Sequence, residues 1–114
     1  MFGVTAHRVT VLILAVVAGS GFAAASAAGK SVKVVNYEFR PKAVTVEKGE
    51  RITWKGVRGS HNVTFKRSPF SRRRFDRDIF EGRRFSKRTR REGRFRYICS
   101  FHDHLGMRGK VIVE

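Results

Sequence analysis

Tyr97-Ile98-Cys99-Ser100-Phe101-His102-Asp103-His104-Leu105-Gly106-Met107-Arg108-Gly109-Lys110-Val111 holds the only cysteine of the chain, two of its four histidines and one of its two methionines. A thiolate, an imidazole and a thioether within nine residues form a cluster of soft donors, and such donors select copper(I), zinc or an iron–sulfur cluster. The flanks have the pattern of strands. Phe95 to Cys99 alternates, with Phe95, Tyr97 and Cys99 on one face, and Gly109 to Val113 closes the chain as a last strand. The donors thus lie on a turn between two strands, and the rest of the chain is expected to be the scaffold that holds them.

Working outward, the upstream chain also reads as short strands. Ser31 to Asn36 is a valine-rich run, broken by Phe39-Arg40-Pro41-Lys42, which is a connection or a strand edge because proline cannot donate to a ladder. Ala43 to Glu47 and Arg51 to Lys55 alternate about Lys48-Gly49-Glu50 and predict an antiparallel hairpin. His61 to Phe65 resumes strand character after a loop with two glycines, and Phe85 to Thr89 is a poorer strand. Residues 70–82 have room for a short helical turn. Seven short strands without helical periodicity predict an all-β sandwich or barrel.

The first residues read differently. His7 and Arg8 precede the apolar run Val9 to Ala18, and Ala25-Ser26-Ala27 follows in a small-residue segment. Basic start, apolar middle and A-x-A end are the three parts of a secretory signal peptide, so residues 1–27 are expected to be removed after Ala27. The competing reading, a retained anchor, meets an apolar run too short to span a bilayer comfortably. No Arg-Arg pair supports a twin-arginine signal. Residues 28–114 then form one domain with no transmembrane span, exported to a periplasmic, extracellular or cell-envelope location. A domain of that size often needs a staple. One cysteine cannot form an internal disulfide, and a lone thiol in an oxidising compartment needs burial or use. A metal answers both demands.

The net charge of +16 implies attraction to anionic surfaces. Residues 66–96 hold fourteen Lys or Arg against four acidic residues, with Phe70, Phe75, Phe80, Phe85 and Phe95 interleaved. One reading is an anion-binding face, for nucleic acid among others. The reading favoured here is a loop and two strands whose phenylalanines turn inward while the arginines stay in water. Export argues against nucleic acid, and an acidic redox partner lies between the two readings.

One thiolate, two imidazoles and a weak axial thioether suit a metal that changes oxidation state by one electron, because neither state finds the geometry alien. The sequence supplies them as His61…Cys99-x2-His102-x4-Met107. The alternative, Cys99-x4-His104-x2-Met107, stays open on spacing alone. Met1 and His7 lie in the leader and are not ligand candidates.

The run Tyr97-x-Cys99-Ser100-x-His102-x4-Met107-x-Gly109-Lys110-Val111-x-Val113 resembles the copper loop of plastocyanin and related small cupredoxins. Upstream, Phe39-x-Pro41, Val44-Thr45-Val46, Gly49, Ile52-Thr53-Trp54 and His61-Asn62-Val63 are similar to the family in the same order. The resemblance implies a Greek-key β-sandwich of seven or eight strands and one type 1 copper ion on His61, Cys99, His102 and Met107. It places Asn62 beside the first ligand, bonding toward Ser100. It further implies a monomeric carrier of single electrons rather than an enzyme. The departures are Gly56, where relatives often have Asn, and Phe101, where many have Pro. Two other functions compete: copper binding or delivery without redox cycling, and an anion-binding or adhesion module with a structural metal. Cys99 as an enzymatic nucleophile lacks any surrounding motif.

Overall fold

The computed structural model describes residues 29–114, so the expected signal segment 1–27 lies outside the described residues. Nine strands and one 3-10 turn follow in order: β1 Lys30–Val35, β2 Glu38–Arg40, β3 Ala43–Val46, β4 Arg51–Gly56, β5 Ser60–Phe65, β6 Phe75–Phe80, β7 Arg84–Arg88, β8 Gly93–Ile98, the turn Asp103–Leu105, and β9 Arg108–Val113. They form a β-sandwich of a four-stranded sheet, β2-β1-β4-β7, and a five-stranded sheet, β3-β9-β8-β5-β6. The expected all-β Greek-key sandwich is the observed class.

Alternation decides which residues are buried. Side chains on a strand point to opposite faces in turn. Val32 and Val34, Val44 and Val46, Ile52 and Trp54, Phe95 and Tyr97, and Val111 and Val113 all face the interior. Trp54 sits at the centre, stacked on Phe85 at 5.2 Å between ring centroids and meeting Tyr97 edge-on at 5.7 Å. Tyr97 also packs on Phe39 at 4.6 Å and on Phe65 at 4.8 Å. Gly109 makes room for the Tyr97 ring, since a Cβ there would collide with Cζ.

Two expectations are corrected. The runs at 43–47 and 51–55 are not a hairpin: β3 pairs in parallel with β9, Val44 opposite Val111, whereas β4 belongs to the other sheet. Alternation fixes the face a strand buries, and two strands in facing sheets satisfy it as well as two neighbours do. The Lys48–Glu50 turn instead bridges the sheets, with Lys48 N–H donating to the Glu114 carbonyl at 2.9 Å and Gly49 N–H to the Thr89 carbonyl at 3.0 Å. Residues 75–80 form strand β6 rather than helix, because the pairing with β5 from Ser60↔Phe80 to Phe65↔Phe75 satisfies their backbone. Of the two forms expected around Pro41, a connection or a strand edge, the edge is observed: Glu38–Arg40 is a short edge strand beside β1, with Pro41 just beyond it.

The arginine-rich stretch takes the inward-outward form. Phe70, Phe85 and Phe95 are buried and Phe75 is partly buried, but Phe80 is 47% exposed. Among the described residues, no helix is long and apolar enough to cross a membrane.

Candidate metal centre

His61 is the second residue of β5 and only 1% exposed. Its Nε2 lies 2.8 Å from the Arg58 carbonyl and donates to it, which leaves Nδ1 as a bare lone pair. Burial holds the imidazole below its ordinary pKa, the Arg58 carbonyl opposes that, and the neighbouring His102 adds to it. A neutral imidazole is the form that binds a metal. Gly59 is what permits this approach. Its φ is +84°, and a Cβ there would press on Asn36 Oδ1 and stand 2.8 Å from His61 Nε2.

The other donors come from the loop between β8 and β9. Cys99 is fully buried, its N–H donates to the Met107 carbonyl at 3.0 Å, and its carbonyl accepts from His102 N–H at 3.1 Å. The His102 carbonyl accepts from Leu105 N–H at 2.9 Å and from Met107 N–H at 3.3 Å. Gly106, at φ +81°, ends the 3-10 turn in the left-handed conformation that glycine adopts without strain. Backbone bonds thereby close the loop on itself.

A buried side chain locks this loop to the neighbouring strand. Asn62 is 3% exposed, accepts from Ser100 N–H at 2.7 Å and donates through Nδ2 to Ser100 Oγ. The Thr64 hydroxyl lies 3.2 Å from Asn62 Oδ1 and 2.9 Å from Asp76 Oδ1, extending the network to β6. The expected Asn62–Ser100 contact is present.

His61 Nδ1 and His102 Nδ1 are 3.1 Å apart, and Cys99 Sγ lies 3.8 Å from the first and 3.5 Å from the second. Among the described residues, His61, Cys99 and His102 are the histidine, cysteine and acidic groups whose donor atoms converge within 4.8 Å. A first-row metal holding nitrogen at about 2.0 Å and sulfur at about 2.3 Å, in trigonal or tetrahedral geometry, separates its donors by roughly 3.3–3.8 Å. The two sulfur–nitrogen distances fall in that range and the two nitrogens stand slightly closer, so the set closes around one small metal ion. Met107, fully buried and bonded by its backbone to Cys99 and His102, lies at the same loop's end. His104 is exposed on the 3-10 turn and outside the convergent group.

The profile of the copper-binding proteins of the plastocyanin/azurin family matches residues 26–114. This chain belongs to that family. Halocyanin of Natronomonas pharaonis is 36% identical over 80 residues, which cover 68% of this chain and 49% of the halocyanin; the chain thus spans about half the length of that relative. Amicyanin from Paracoccus versutus superposes with a TM-score of 0.67 at 28% identity, covering 77% of this chain and 83% of that one. A reduced amicyanin variant matches with a TM-score of 0.66 at 26% identity over 76% and 83% of the two chains.

As a cupredoxin the chain takes copper as its cofactor. Several parts of its centre carry no sequence pattern. The Arg58 carbonyl that orients His61 is a backbone group. Tyr37 stands edge-on to the His102 ring at 5.0 Å and is 51% exposed, in a left-handed conformation with φ 67°. It reaches His102 because the β1–β2 turn lies at this end of the sandwich. Phe101 is likewise 51% exposed. Gly56 is explained by the backbone crossing over it: a Cβ would strike the Phe80 carbonyl, and Gly56 N–H donates to the Arg83 carbonyl at 2.7 Å.

Proposed function

We propose that the chain is an exported type 1 copper protein that carries single electrons between redox partners, with His61, Cys99, His102 and Met107 as its ligands. The observation that carries this reading is the convergence of one thiol sulfur and two imidazole nitrogens within 3.8 Å of one another in a loop already closed by backbone bonds. Bound copper supplies a one-electron change of oxidation state. The protein's own residues hold the donors in one arrangement for both states, so that little has to move when an electron arrives or leaves. Arg58 and Asn62 fix the orientation of His61 and of the Cys99 loop, as partners behind the ligands do in other metal sites.

Burial supports holding a metal over handing it on. His61, Cys99 and Met107 are closed off from solvent, and only His102 is partly exposed, between Tyr37 and Phe101. That ring edge is the short route for an electron to the surface. Four protein donors leave no open position for a substrate, which supports a carrier rather than an enzyme. The leader-like residues 1–27 support export, with residues 28–114 as the working domain, and the net charge of +16 supports an acidic partner and a monomer that repels its own copies.

Copper(II) added to the purified protein is expected to give an intense blue or green thiolate-to-copper absorption, absent in Cys99→Ser. Colourless binding would overturn the type 1 assignment.

A further inference from the structure

The outer face of the five-stranded sheet carries a groove of about 460 Å³, well removed in character from the donor-lined centre. It lies where the sheet's pairing is sparse. β5 and β8 are neighbours but meet in a single register pair, Thr64↔Ile98, whereas β5 and β6 pair along six positions. The groove runs beside that one junction. Six cations line it: Lys66, Arg67 and Arg74 from the chain after β5, Arg94 and Arg96 from β8, and Lys110 from β9. No acidic side chain lines it. Among the described residues the ion pairs are Arg40–Glu38 and Arg108–Asp103, so none of the six lining cations is neutralised by one. Ser100, the residue after Cys99 that Asn62 holds in place, also lines the groove.

We propose that this groove docks an extended acidic segment of the protein's electron-transfer partner. The inference takes the electron-carrier reading as given for the partner's identity. Charge complementarity is the first argument: six uncompensated cations around one concavity favour a polyanion and repel a basic surface. Spacing is the second. Arg94 and Arg96 alternate with the buried Phe95 and Tyr97, so they project outward two residues apart on one strand. Successive same-face side chains on a strand are about 6.6–6.8 Å apart. A peptide extended alongside β8 presents alternate carboxylates at the same repeat, and each guanidinium can bind a carboxylate through two parallel N–H bonds. The third argument is place. A segment held here lies against the flank of the Cys99 loop, not over His102, so the half-exposed ring stays free for the partner's redox group.

The test uses the copper-loaded protein and a fluorescently labelled octaglutamate peptide, followed by anisotropy at low salt. Wild-type protein is expected to bind it. Arg94→Glu/Arg96→Glu should weaken binding at least about tenfold. Lys33→Glu/Lys55→Glu, the same charge change on exposed residues of the other sheet, should weaken it less than about threefold. Equal losses in the two variants would reduce the effect to net charge and overturn the proposal, as would absence of binding by the wild type. Inorganic tripolyphosphate is the competing probe; tighter binding than the peptide at equal charge would assign the groove to phosphate anions and overturn it too. If the double reversal misfolds, Arg94→Gln/Arg96→Gln carries the same test, with a loss of at least about threefold expected. The blue absorption, recorded in parallel, separates the two readings. Its absence in the wild type would sink the carrier, while the peptide isotherms still judge whether the groove recognises acidic segments.

Discussion

The loop from Cys99 to Met107 and the stretch from Lys66 to Arg96 solve opposite problems. The loop, with His61 beside it, places its donors by short directional bonds. Cys99, His102 and Met107 are tied to one another through their own backbones, and Asn62 grips Ser100 from the neighbouring strand. The arginine-rich stretch fixes position mainly by apolar burial. Phe70, Phe85 and Phe95 point inward, and the cations outside lean on ring faces, Arg77 over Phe85 at 4.9 Å and Lys87 over Phe75 at 5.7 Å. One region depends on angles and tenths of an ångström, the other on which side of a strand a residue lies. The first should be sensitive to single atoms and the second tolerant of them.

The sharpest separation is between two histidines two residues apart. His102→Ala removes a donor from the convergent group and is expected to abolish the blue absorption or displace it severely. His104→Ala, on an exposed turn, is expected to leave both the band and the reduction potential in place. Spectra of the two copper-loaded variants, side by side, check this. A blue His102→Ala protein with a colourless His104→Ala protein would reverse the assignment and with it the idea that the loop's bonds preset the site.

A smaller effect is expected one layer out. Gly59→Ala asks a residue with a Cβ to hold φ +84° and to press against Asn36 and His61 Nε2. The expected cost is about 1–3 kcal/mol, a lowered midpoint in thermal unfolding. The spectrum should shift as well, because the atom it presses is the Nε2 through which the Arg58 carbonyl orients His61. Loss of stability with an unchanged spectrum would mean that the imidazole is held without help from this turn.

These positions also mark what could be read from the chain alone. The sandwich was legible because alternation is a property of single strands: Ile52 and Trp54, Phe95 and Tyr97, Val111 and Val113 declare their buried face without reference to any neighbour. The convergence of Cys99 and His102 was legible for a related reason, since two residues of rare types stand within four positions of each other. Pairing was not. Whether Val44 lies beside Ile52 or beside Val111 depends on which sheet the Lys48–Glu50 turn delivers the chain to, and that turn is held by contacts with Thr89, 40 residues from Gly49, and Glu114, 66 residues from Lys48. Strand β6 escaped notice because Phe75-Asp76-Arg77-Asp78-Ile79-Phe80 carries charge on three of its six positions, and only Ile79 is fully buried. Tyr37 belongs to the centre through tertiary proximity, for which no local pattern exists, whereas Gly59 and the Arg58 carbonyl lie two and three residues before His61 and act through backbone that residue type does not reveal.

The smallest effect tests the tolerant region. Arg77 is exposed on β6, and its guanidinium carbon stands 4.9 Å above the ring of the buried Phe85. An exposed cation over an aromatic face contributes about 0.5–1 kcal/mol, and no ion pair among the described residues adds to it. Removing it also relieves repulsion in a stretch whose cations outnumber its acids by more than three to one. The two terms oppose each other, so Arg77→Ala is expected to change stability by less than about 0.5 kcal/mol in denaturant unfolding, with the blue absorption unaltered. The balance depends on salt in a stated direction. Screening weakens the repulsion that the substitution relieves, so the variant should look relatively better at low ionic strength and relatively worse at high. A loss of 2 kcal/mol or more, or any change at the copper centre, would mean that this face is positioned as strictly as the loop and that the contrast between the two regions is false.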